Sequence, residues 1–272
     1  MGRKTVEIFQ DQDFGIVHDI DDPPNRIISP LHNHDDLYEI ILFLNGDCEF
    51  SVEGNTYQLQ VHDIVFTRPF EMHTMMCLTE KTYERLVLFI KSSYFKNNLC
   101  EPFRDVFENR PLGAGNCISK SIAGHTLRDC MHRLYWYSEK QAYDVAKHIV
   151  YELLYLFNEH KQAREQKIAV LKDERVRNII LFINSHLSEK LSLDMLAKKF
   201  FLSKNAMCRI FKANTGYTIS NYINYKRILM VQELHRNGQT LTQASLNAGF
   251  NSYANFYKTY VNQIGDSPNK MN

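Results

Sequence analysis

Cysteine pairs of the CxxC kind are missing from this chain, whose six cysteines stand scattered at positions 48, 77, 100, 117, 130 and 208. Their spacing indicates neither a zinc ribbon nor a disulfide scaffold, so we expect reduced thiols, as in a cytoplasm. Long apolar runs are missing too: no stretch reaches the length of a membrane span, and the first ten residues lack the apolar core of a signal peptide. These absences predict a soluble cytoplasmic protein with no membrane partner.

Charge is distributed unevenly along the 272 residues, although the formal net charge is only +1. Residues 1–167 carry 18 Lys and Arg against 25 Asp and Glu, a net of −7, whereas residues 168–272 carry 14 against 6, a net of +8. A hydrophobic content of 44% supports packed cores and rules out a disordered chain. The sequence therefore predicts an acidic domain joined to a basic one that suits a polyanionic partner.

A repeat occupies the basic domain. Five pairs of similar residues recur at a single offset of 49 positions: Ser203/Ser252, Met207/Phe256, Arg209/Lys258, Phe211/Tyr260 and Gly216/Gly265. Each copy begins with an apolar-periodic helical segment, passes a short turn and continues into a second helix that starts after the serine. This is the pattern of a helix-turn-helix, present twice.

The second helix of such a unit presents polar side chains to the major groove. In the first copy the polar side comprises Lys204, Asn205, Cys208, Arg209 and Lys212, and in the second it comprises Tyr253, Ala254, Tyr257 and Lys258. Asn can bond bidentately to adenine and Arg to guanine. Between the copies, residues 218–238 predict one helix that ends at Gly238; about eighteen helical residues span roughly 27 Å, close to the ~34 Å between successive major-groove faces.

This arrangement resembles the AraC/XylS family of transcription regulators. The likeness extends through Leu193-x-x-Leu196-Ala197, Ser203, Arg209-x-Phe211-Lys212, Thr215-Gly216, Tyr222, Arg227, Gly249-Phe250, Phe256-x-Lys258-x-Tyr260 and Gly265-x-x-Pro268. The resemblance implies that Asn205, Cys208 and Arg209 read bases in the first unit, and that Tyr253, Ala254, Tyr257 and Lys258 do so in the second.

Two departures from the family pattern fall in the second unit. Ala244-Ser245 replaces the usual Ile-Ala pair of its bracing helix, which removes apolar volume and adds a hydroxyl. Lys258 and Tyr260 stand where Arg and Phe are usual, and Lys lacks the planar fork of Arg. We therefore expect the second unit to contact phosphates more than bases.

Short β-rich runs separated by turns fill the acidic domain from residue 38 to residue 90, at residues 38–44, 48–52, 56–60, 63–67 and 83–90. Such spacing predicts a barrel or sandwich. Helical periodicity replaces it after about residue 118, with apolar positions at Leu127, Met131, Leu134 and Tyr135, and then at Val145, Ile149, Leu153 and Leu156. The second helix carries additional aromatic surface that packs either on a second subunit or on its own barrel.

Histidines of the acidic domain follow a metal-binding spacing. His32-x-His34-x4-Glu39-x6-Gly46 resembles the first motif of the cupin superfamily, and Pro69-x3-His73 resembles the second, except that Glu71 and Cys77 replace the typical Gly and Asn. Three imidazoles and a carboxylate can bind a divalent transition metal. The same histidines can instead serve as hydrogen-bonded wall residues, and then no cofactor is needed. A pocket for a polyhydroxylated ligand or small acid would use His32, His34, Tyr38, Glu39, Arg68 and His73, with Phe43, Phe50 and Phe66 as its apolar wall.

Together these patterns predict a two-domain α+β protein: an N-terminal cupin-like β-barrel followed by helices, and a C-terminal all-α double helix-turn-helix. The predicted segments are a sensor barrel at 1–117, helices for homodimerisation at 118–160, a linker at 161–173 and a DNA-binding domain at 174–272. We expect a promoter-binding regulator with a small-molecule effector and no enzymatic activity; the family likeness favours an activator that contacts RNA polymerase and a sugar-like effector. Two alternatives remain: a constitutive regulator whose barrel only dimerises, and a metal-dependent cupin enzyme with a DNA-binding appendage.

Overall fold

The computed structural model describes residues 4–9, 13–25, 27–34, 36–69, 71–96, 99–110, 113–160, 174–215, 217–264 and 267–270. The chain divides into two compact units, Met1–Val170 and Leu171–Asn272. Their boundary falls within the predicted linker, residues 161–173, which lies outside the described residues, as do Gly216 and Gly265 of the repeat. None of the helices in the described ranges has both the length and the apolar character that crossing a membrane requires.

Within the described residues of the first unit, ten antiparallel strands form two sheets. The strands are β1 (Lys4–Phe9), β2 (Phe14–Asp21), β3 (Ile27–His32), β4 (Leu37–Asn45), β5 (Cys48–Val52), β6 (Asn55–Gln58), β7 (Ile64–Thr67), β8 (His73–Cys77), β9 (Tyr83–Lys91) and β10 (Cys117–Ile118). One sheet has the order β1-β2-β9-β4-β7-β10, and the other has the order β3-β8-β5-β6. The five predicted β-rich runs correspond to β4, β5, β6, β7 and β9, so the all-β character of this region is confirmed. The other five strands were not predicted.

Side-chain alternation divides the apolar residues of this unit into two cores. In β5, Cys48, Phe50 and Val52 are buried and the residues between them are half-exposed, as the sequence predicts. In β4 both faces are buried: Ile41 and Phe43 join the core between the sheets. Ile40 and Leu42 belong instead to a core on the outer face of the larger sheet. This outer core lies between the outer face of the larger sheet and the helices that pack on it.

Three helices complete the first unit: α1 (Asp105–Glu108), α2 (Lys120–Glu139) and α3 (Tyr143–Glu159). In α2, Leu127, Met131 and Leu134 are buried in the outer core, as predicted, and Tyr135 packs at its edge. The predicted buried face of α3 is partly wrong. Val145 is 42% exposed and Leu156 is half-buried, whereas the helix buries Ala146, Ile149, Val150, Leu153, Leu154 and Phe157. The buried stripe of α3 thus includes the residues one position after the predicted Val145 and Leu156. The shift arises because residues that pack on one face of a helix recur at both i+3 and i+4 spacings.

The second unit is helical: α4 (Glu174–Ser185), α5 (Leu193–Lys199), α6 (Lys204–Thr215), α7 (Ile219–Arg236), α8 (Leu241–Asn247) and α9 (Tyr253–Ile264). The pairs α5–α6 and α8–α9 are the two predicted helix-turn-helix units, and α7 is the predicted connecting helix of 18 residues. With the antiparallel sheets of the first unit, this confirms the α+β, two-domain fold class.

Local sequence signals explain where these helices begin. The hydroxyls of Ser192, Thr218 and Thr240 accept hydrogen bonds from backbone amides in the first turns of α5, α7 and α8. Thr240 and Gln243 form a complete capping box. Ser203 and Ser252 cap α6 and α9 in the same way, by accepting from Ala206 N at 3.2 Å and Asn255 N at 3.1 Å. The predicted capping role of Ser203 is thus confirmed.

Candidate functional sites

Four of the predicted pocket residues meet between the two sheets. His32, the last residue of β3, lies directly opposite His73, the first residue of β8. Glu39 belongs to β4 of the larger sheet, on the same face as Ile41 and Phe43, so its carboxylate points toward β8. His34 follows β3 by two residues. Two short strands and one long strand therefore bring together side chains that are up to 41 positions apart.

Distances within this histidine cluster, His32, His34, His73 and Glu39, are short. His73 Nε2 lies 2.9 Å from Glu39 Oε2, and His34 Nε2 lies 3.8 Å from the same oxygen. The ring centroids of His32 and His73 are 4.3 Å apart, and one nitrogen from each of the three histidines lies within 4.8 Å of the others. Nitrogen and carboxylate atoms that converge at this range match the preferences of a divalent transition metal.

Burial and charge act in opposite directions on the pKa values of the histidine cluster, and charge is the stronger effect. Burial alone raises the pKa of Glu39, but the nearby charges of His73 and His34 outweigh it and hold the pKa well below its usual value. Burial lowers the pKa of His73, but Glu39 outweighs it and raises the pKa above its usual value. His73 Nδ1 lies 2.8 Å from the carbonyl oxygen of Glu71 and can donate to it, which leaves Nε2 directed at Glu39.

Several polar atoms of the histidine cluster have ion-pair contacts with one another but no well-formed hydrogen bond. Within the described part of the chain, His34 Nε2, His73 Nε2 and Glu39 Oε2 are buried and have no hydrogen bond of regular geometry. Buried polar atoms of this kind are costly unless a ligand, ion or water satisfies them. The donor set of His32, His34, His73 and Glu39 therefore fits a bound metal. His32 and His34 are half-exposed, so solvent reaches the cluster from one side.

Tyr38 and Arg68 do not join this site, which corrects the predicted pocket. Tyr38 is adjacent to Glu39 on β4 and so faces the opposite side of the sheet, where its hydroxyl donates to Glu108 Oε1 at 2.6 Å. Arg104 Nε donates to the same hydroxyl at 2.9 Å. Arg68 Nη1 donates to the carbonyl oxygen of Glu108 at 2.6 Å. Both predicted ligand-binding side chains instead fasten α1 to the outer face of the larger sheet.

The predicted apolar wall is divided in the same way. Phe43 and Phe50 belong to the core between the sheets, whereas Phe66 belongs to the outer core and packs edge-on against Phe107 and Phe157. Two interior polar residues were missed by the sequence reasoning. Thr67 pairs with Glu39 across the ladder, and Arg85 donates to the buried carboxylate of Asp19 at 3.0 Å. Thr67 lies two positions after Val65, and Arg85 lies two positions before Val87. Alternation of buried and outward side chains along these strands therefore predicts that both residues point inward.

The predicted DNA-reading residues of the first helix-turn-helix unit share one face of α6. Asn205, Arg209 and Lys212 are exposed and Cys208 is half-buried, while Met207 and Phe211 on the other face are fully buried. Lys204 is exposed as well and lies 2.6 Å from Asp194 of α5. A solvent-exposed pair of this kind contributes little free energy, so Lys204 can exchange it for a phosphate at small cost.

The second unit presents its predicted set on α9 in the equivalent way. Ala254, Tyr257 and Lys258 are exposed, and Tyr253 is half-buried against Phe256, which is fully buried. Asn255 is exposed in the first turn as well and was not predicted. In the bracing helix, the hydroxyl of buried Ser245 donates to the carbonyl oxygen of Thr242 at 2.8 Å. The added hydroxyl is therefore satisfied within its own helix.

Comparisons with known proteins match both units. Residues 14–103 match the family described as AraC-like ligand binding domain, and residues 196–272 match the family described as helix-turn-helix domain. Over 252 residues, 87% of this chain and 78% of the relative, the sequence is 23% identical to the uncharacterized HTH-type transcriptional regulator YdiP of Escherichia coli strain K12.

A second relative has similar coverage. The chain is 24% identical over 265 residues, 89% of its length and 87% of the relative, to the uncharacterized HTH-type transcriptional regulator YdeC of Bacillus subtilis strain 168. Among solved structures, unsaturated fatty acid bound wild-type ToxT from Vibrio cholerae strain SCE256 aligns with 96% of this chain and 95% of its own, at 15% identity and a TM-score of 0.37.

Proposed function

This chain belongs to the AraC family of helix-turn-helix transcription regulators, and we propose that a small molecule bound in its first unit controls how its second unit binds promoter DNA. The observation that carries the proposal is the pair of N-capped helices, α6 and α9, each presenting an exposed polar face on a domain of net charge +8. Helices placed in this way in double helix-turn-helix proteins enter successive major grooves.

The first unit supplies most of the sequence specificity in this proposal. Asn205 and Arg209 carry side chains that bond bidentately to adenine and guanine, and both are exposed on α6. On α9 the exposed cation is Lys258, a point charge suited to phosphate. The two helix-turn-helix units therefore have different roles: α6 contacts bases, and α9 mainly positions the domain on the duplex.

The effector site is the histidine cluster. His32 and His34 are half-exposed and admit a ligand, while Glu39 and His73 are buried and supply charge-assisted hydrogen bonds. Hydroxyl and carboxyl groups are the ligand chemistry that such a set recognises, which favours a sugar-like molecule or a small acid. The ligand acts through its difference in affinity between the arrangements of the protein that bind DNA well and poorly.

A divalent transition metal is part of this proposal. The nitrogens of His32, His34 and His73 and the carboxylate of Glu39 would hold it, as their convergence and unsatisfied buried atoms support. When bound, the metal supplies a Lewis-acidic anchor for an oxygen of the effector. The role assigned to it is binding without turnover, in keeping with relatives that are transcription regulators.

The exposed surface of α2 and α3 supports a further partner, a second copy of this chain. Tyr143, Tyr151 and Tyr155 recur every four or eight residues along α3 and are 40–46% exposed, and Trp136 of α2 is 52% exposed. An aromatic surface of this kind supports homodimerisation. We further propose that the protein acts in the cytoplasm as an activator that contacts RNA polymerase.

Selection of genomic DNA fragments by the purified full-length protein, at near-physiological salt, tests the DNA-binding proposal. The expected result is enrichment of a bipartite motif whose half-elements lie about one helical turn apart. A folded protein that enriches no sequence over random DNA, with and without cell-extract metabolites, would refute it.

One observation favours a second candidate, a constitutive regulator whose barrel only supports dimerisation. The core between the sheets is filled by Phe43, Phe50, Tyr57 and Tyr83, each at most 1% exposed. The two candidates differ in thermal unfolding of the protein with panels of sugars and small acids. A melting temperature that rises with one compound, and does not rise in a Glu39→Gln variant, supports the effector site; a flat response across the panels together with unchanged DNA binding supports the constitutive regulator.

A further inference from the structure

Two cysteines face each other across neighbouring strands of the smaller sheet. Cys48 is the first residue of β5 and Cys77 is the last residue of β8, and the register of the ladder places them directly opposite. Their sulfur atoms are 3.0 Å apart. Both thiols are free, and both are buried in the core between the sheets. A contact of this kind brings two redox-active atoms together without any change in the backbone.

The hydrogen-bonding pattern places this pair at a narrow position of the ladder. Leu78 N donates to Asp47 O at 2.8 Å, so the neighbouring pair is the hydrogen-bonded one. Cys48 O accepts from Leu59 N at 3.0 Å and thus points to β6, away from β8. Cys48 and Cys77 therefore form a non-hydrogen-bonded pair, in which Cα atoms lie about 4.5 Å apart. This separation lies within the ~4.4–6.8 Å that disulfides span.

The pair is also chemically asymmetric. The hydrogen bond that the two sulfurs share lowers the pKa of the Cys77 thiol below its usual value, and burial opposes this effect only in part. The same pairing, reinforced by burial, raises the pKa of Cys48. Cys77 is also the more accessible thiol, at 3% exposure against 0% for Cys48, so we assign Cys77 as the nucleophile of the pair and Cys48 as the resolving thiol.

We propose that Cys48 and Cys77 are a redox-responsive dithiol that a hydroperoxide converts to an intrachain disulfide. The Cys77 thiolate attacks the peroxide, the O–O bond breaks and hydroxide leaves, so that Cys77 becomes a sulfenic acid. The Cys48 sulfur then displaces the sulfenic hydroxyl, forms the S–S bond, and its proton leaves with that hydroxyl as water. The two sulfurs together lose two electrons, and hydrogen peroxide is reduced to water.

Access for a small neutral oxidant comes from the end of the ladder. Cys77 is 3% exposed, and Leu78, the next residue, is 38% exposed. Cys48 directly follows the turn at Gly46 and Asp47, which are both half-exposed. Fraying of the strand ends by one residue therefore uncovers the sulfurs, because terminal ladder positions open more readily than central ones.

The disulfide would fix β5 against the strand that begins at His73. Val52, at the other end of β5, pairs with His73 across the same ladder. The crosslink therefore fixes the end of this ladder opposite to the end that presents the buried imidazole of the histidine cluster. Buried cysteines otherwise serve as small apolar side chains, and in that role peroxide would leave this pair unchanged.

Peptide mapping of the full-length protein tests the proposal. The protein is treated with hydrogen peroxide, denatured in N-ethylmaleimide to block every remaining thiol, and digested with a glutamate-specific protease. Cleavage after Glu39, Glu49, Glu71 and Glu80 places Cys48 in the peptide 40–49 and Cys77 in the peptide 72–80. The expected product is these two peptides joined, with two hydrogen atoms fewer than the free thiols, and dithiothreitol separates them again.

Two variants complete the experiment. In Cys48→Ser, oxidation is expected to stop at the sulfenic or higher oxides of Cys77, with no joined peptide.

Cys130→Ser is the matched control. This buried cysteine of α2 donates to the carbonyl oxygen of Ile149 at 3.6 Å, away from the Cys48–Cys77 pair, so its replacement is expected to leave the joined peptide unchanged. Recovery of both peptides carrying the maleimide while Cys208, which is half-exposed, is oxidised would overturn the proposal. So would a crosslink between Cys208 residues of two chains in place of the internal one. Neither outcome depends on DNA or an effector.

Discussion

Arg110 and Glu71 form a bidentate ion pair in the first unit, with Arg110 Nη1 2.7 Å from Glu71 Oε1 and Nη2 bonded to Oε2. Gly113 N and Asn116 Nδ2 each donate to the same carboxylate at 3.0 Å. These contacts hold the pKa of Glu71 below its usual value against the effect of burial. The residue that replaces the usual glycine of the cupin pattern thus attaches a distant loop to the sheet.

Arg110→Ala is expected to lower the free energy of unfolding by about 3–5 kcal/mol, because it removes the bidentate partner of a fully buried carboxylate and leaves only the longer contact to Arg68 at 3.8 Å. Urea denaturation followed by circular dichroism measures the effect. The matched control is Arg133→Ala, which removes a half-exposed bond to Glu152 at 2.7 Å and is expected to cost about 0.2–1 kcal/mol. Equal losses in the two variants would contradict the importance assigned to the buried pair.

Gly249→Ala is expected to destabilise the second unit strongly. Gly249 has φ +91°, and an added Cβ would lie 2.4 Å from the carbonyl oxygen of Leu187. Gly238 has nearly the same φ, +92°, with no heavy atom within 4 Å of an added Cβ. Gly238→Ala therefore measures the backbone cost alone, about 1–2 kcal/mol. Thermal unfolding of both variants gives the difference, and a Gly249→Ala protein as stable as Gly238→Ala would show that the steric clash relaxes freely.

Arg209→Ala is expected to cost about 1–3 kcal/mol of specific DNA binding and to relax the preference at one base position. The reason is the exposed location of Arg209 on α6, where its guanidinium can reach a guanine edge. Titration of the selected motif and of all single-base variants measures both effects. If affinity falls by the same factor on random DNA, Arg209 contacts phosphate and is not a base reader.

Lys258→Ala is expected to weaken binding to every sequence alike and to make its salt dependence shallower. A lysine that neutralises one phosphate contributes about 0.9 to the slope of log K against log salt. Binding measured at several salt concentrations gives this slope. Glu159→Ala in the first unit is a control that leaves the slope unchanged, and a wild-type slope in Lys258→Ala would remove Lys258 from the phosphate contacts.

His34→Ala is expected to weaken metal binding by at least tenfold while the protein stays folded, because His34 is a half-exposed member of the histidine cluster. Calorimetric titration of tag-free protein with Zn²⁺ or Ni²⁺ measures the affinity. His148→Ala is the control, since this exposed histidine of α3 is engaged by the carbonyl oxygen of Asp144 at 2.7 Å. Identical affinities in the two variants would assign the cluster to packing and hydrogen bonding only.

The sequence predicts local features well where one signal repeats. The 49-residue offset predicted both helix-turn-helix units, and alternation predicted which side chains of β5 are buried. Strands β2 and β3 were missed because Asp and Pro interrupt their apolar patterns: Asp19, which bonds to Arg85, and Asp21 are buried in β2, and β3 contains Pro30. β2 pairs with the distant β9 as well as with the neighbouring β1, and β3 pairs with the distant β8, so local patterns identify these pairings only in part.

It was harder to predict which residues form the candidate pocket than to predict the fold. Tyr38 and Glu39 are adjacent in sequence and were assigned to one pocket, yet consecutive strand residues face opposite sides of a sheet. The resemblance to the two cupin motifs did predict that His32, His34, Glu39 and His73 lie together, and the pairing of β3 with β8 places them so. The partner of Glu71, by contrast, lies 39 positions away on a loop, beyond the reach of any spacing rule.

Helix α7 joins the two DNA-binding units through a single segment of 18 residues. Once α6 is bound, α9 meets its own stretch of duplex at an effective concentration set by this helix, in the millimolar range typical of short connections. A contact too weak to hold DNA by itself then adds affinity without adding specificity. On the proposed division of roles, changes of residue on α9, such as Lys258 in place of arginine, can accumulate while α6 still selects the operator. The two units together would then keep their affinity for DNA after α9 has lost base specificity.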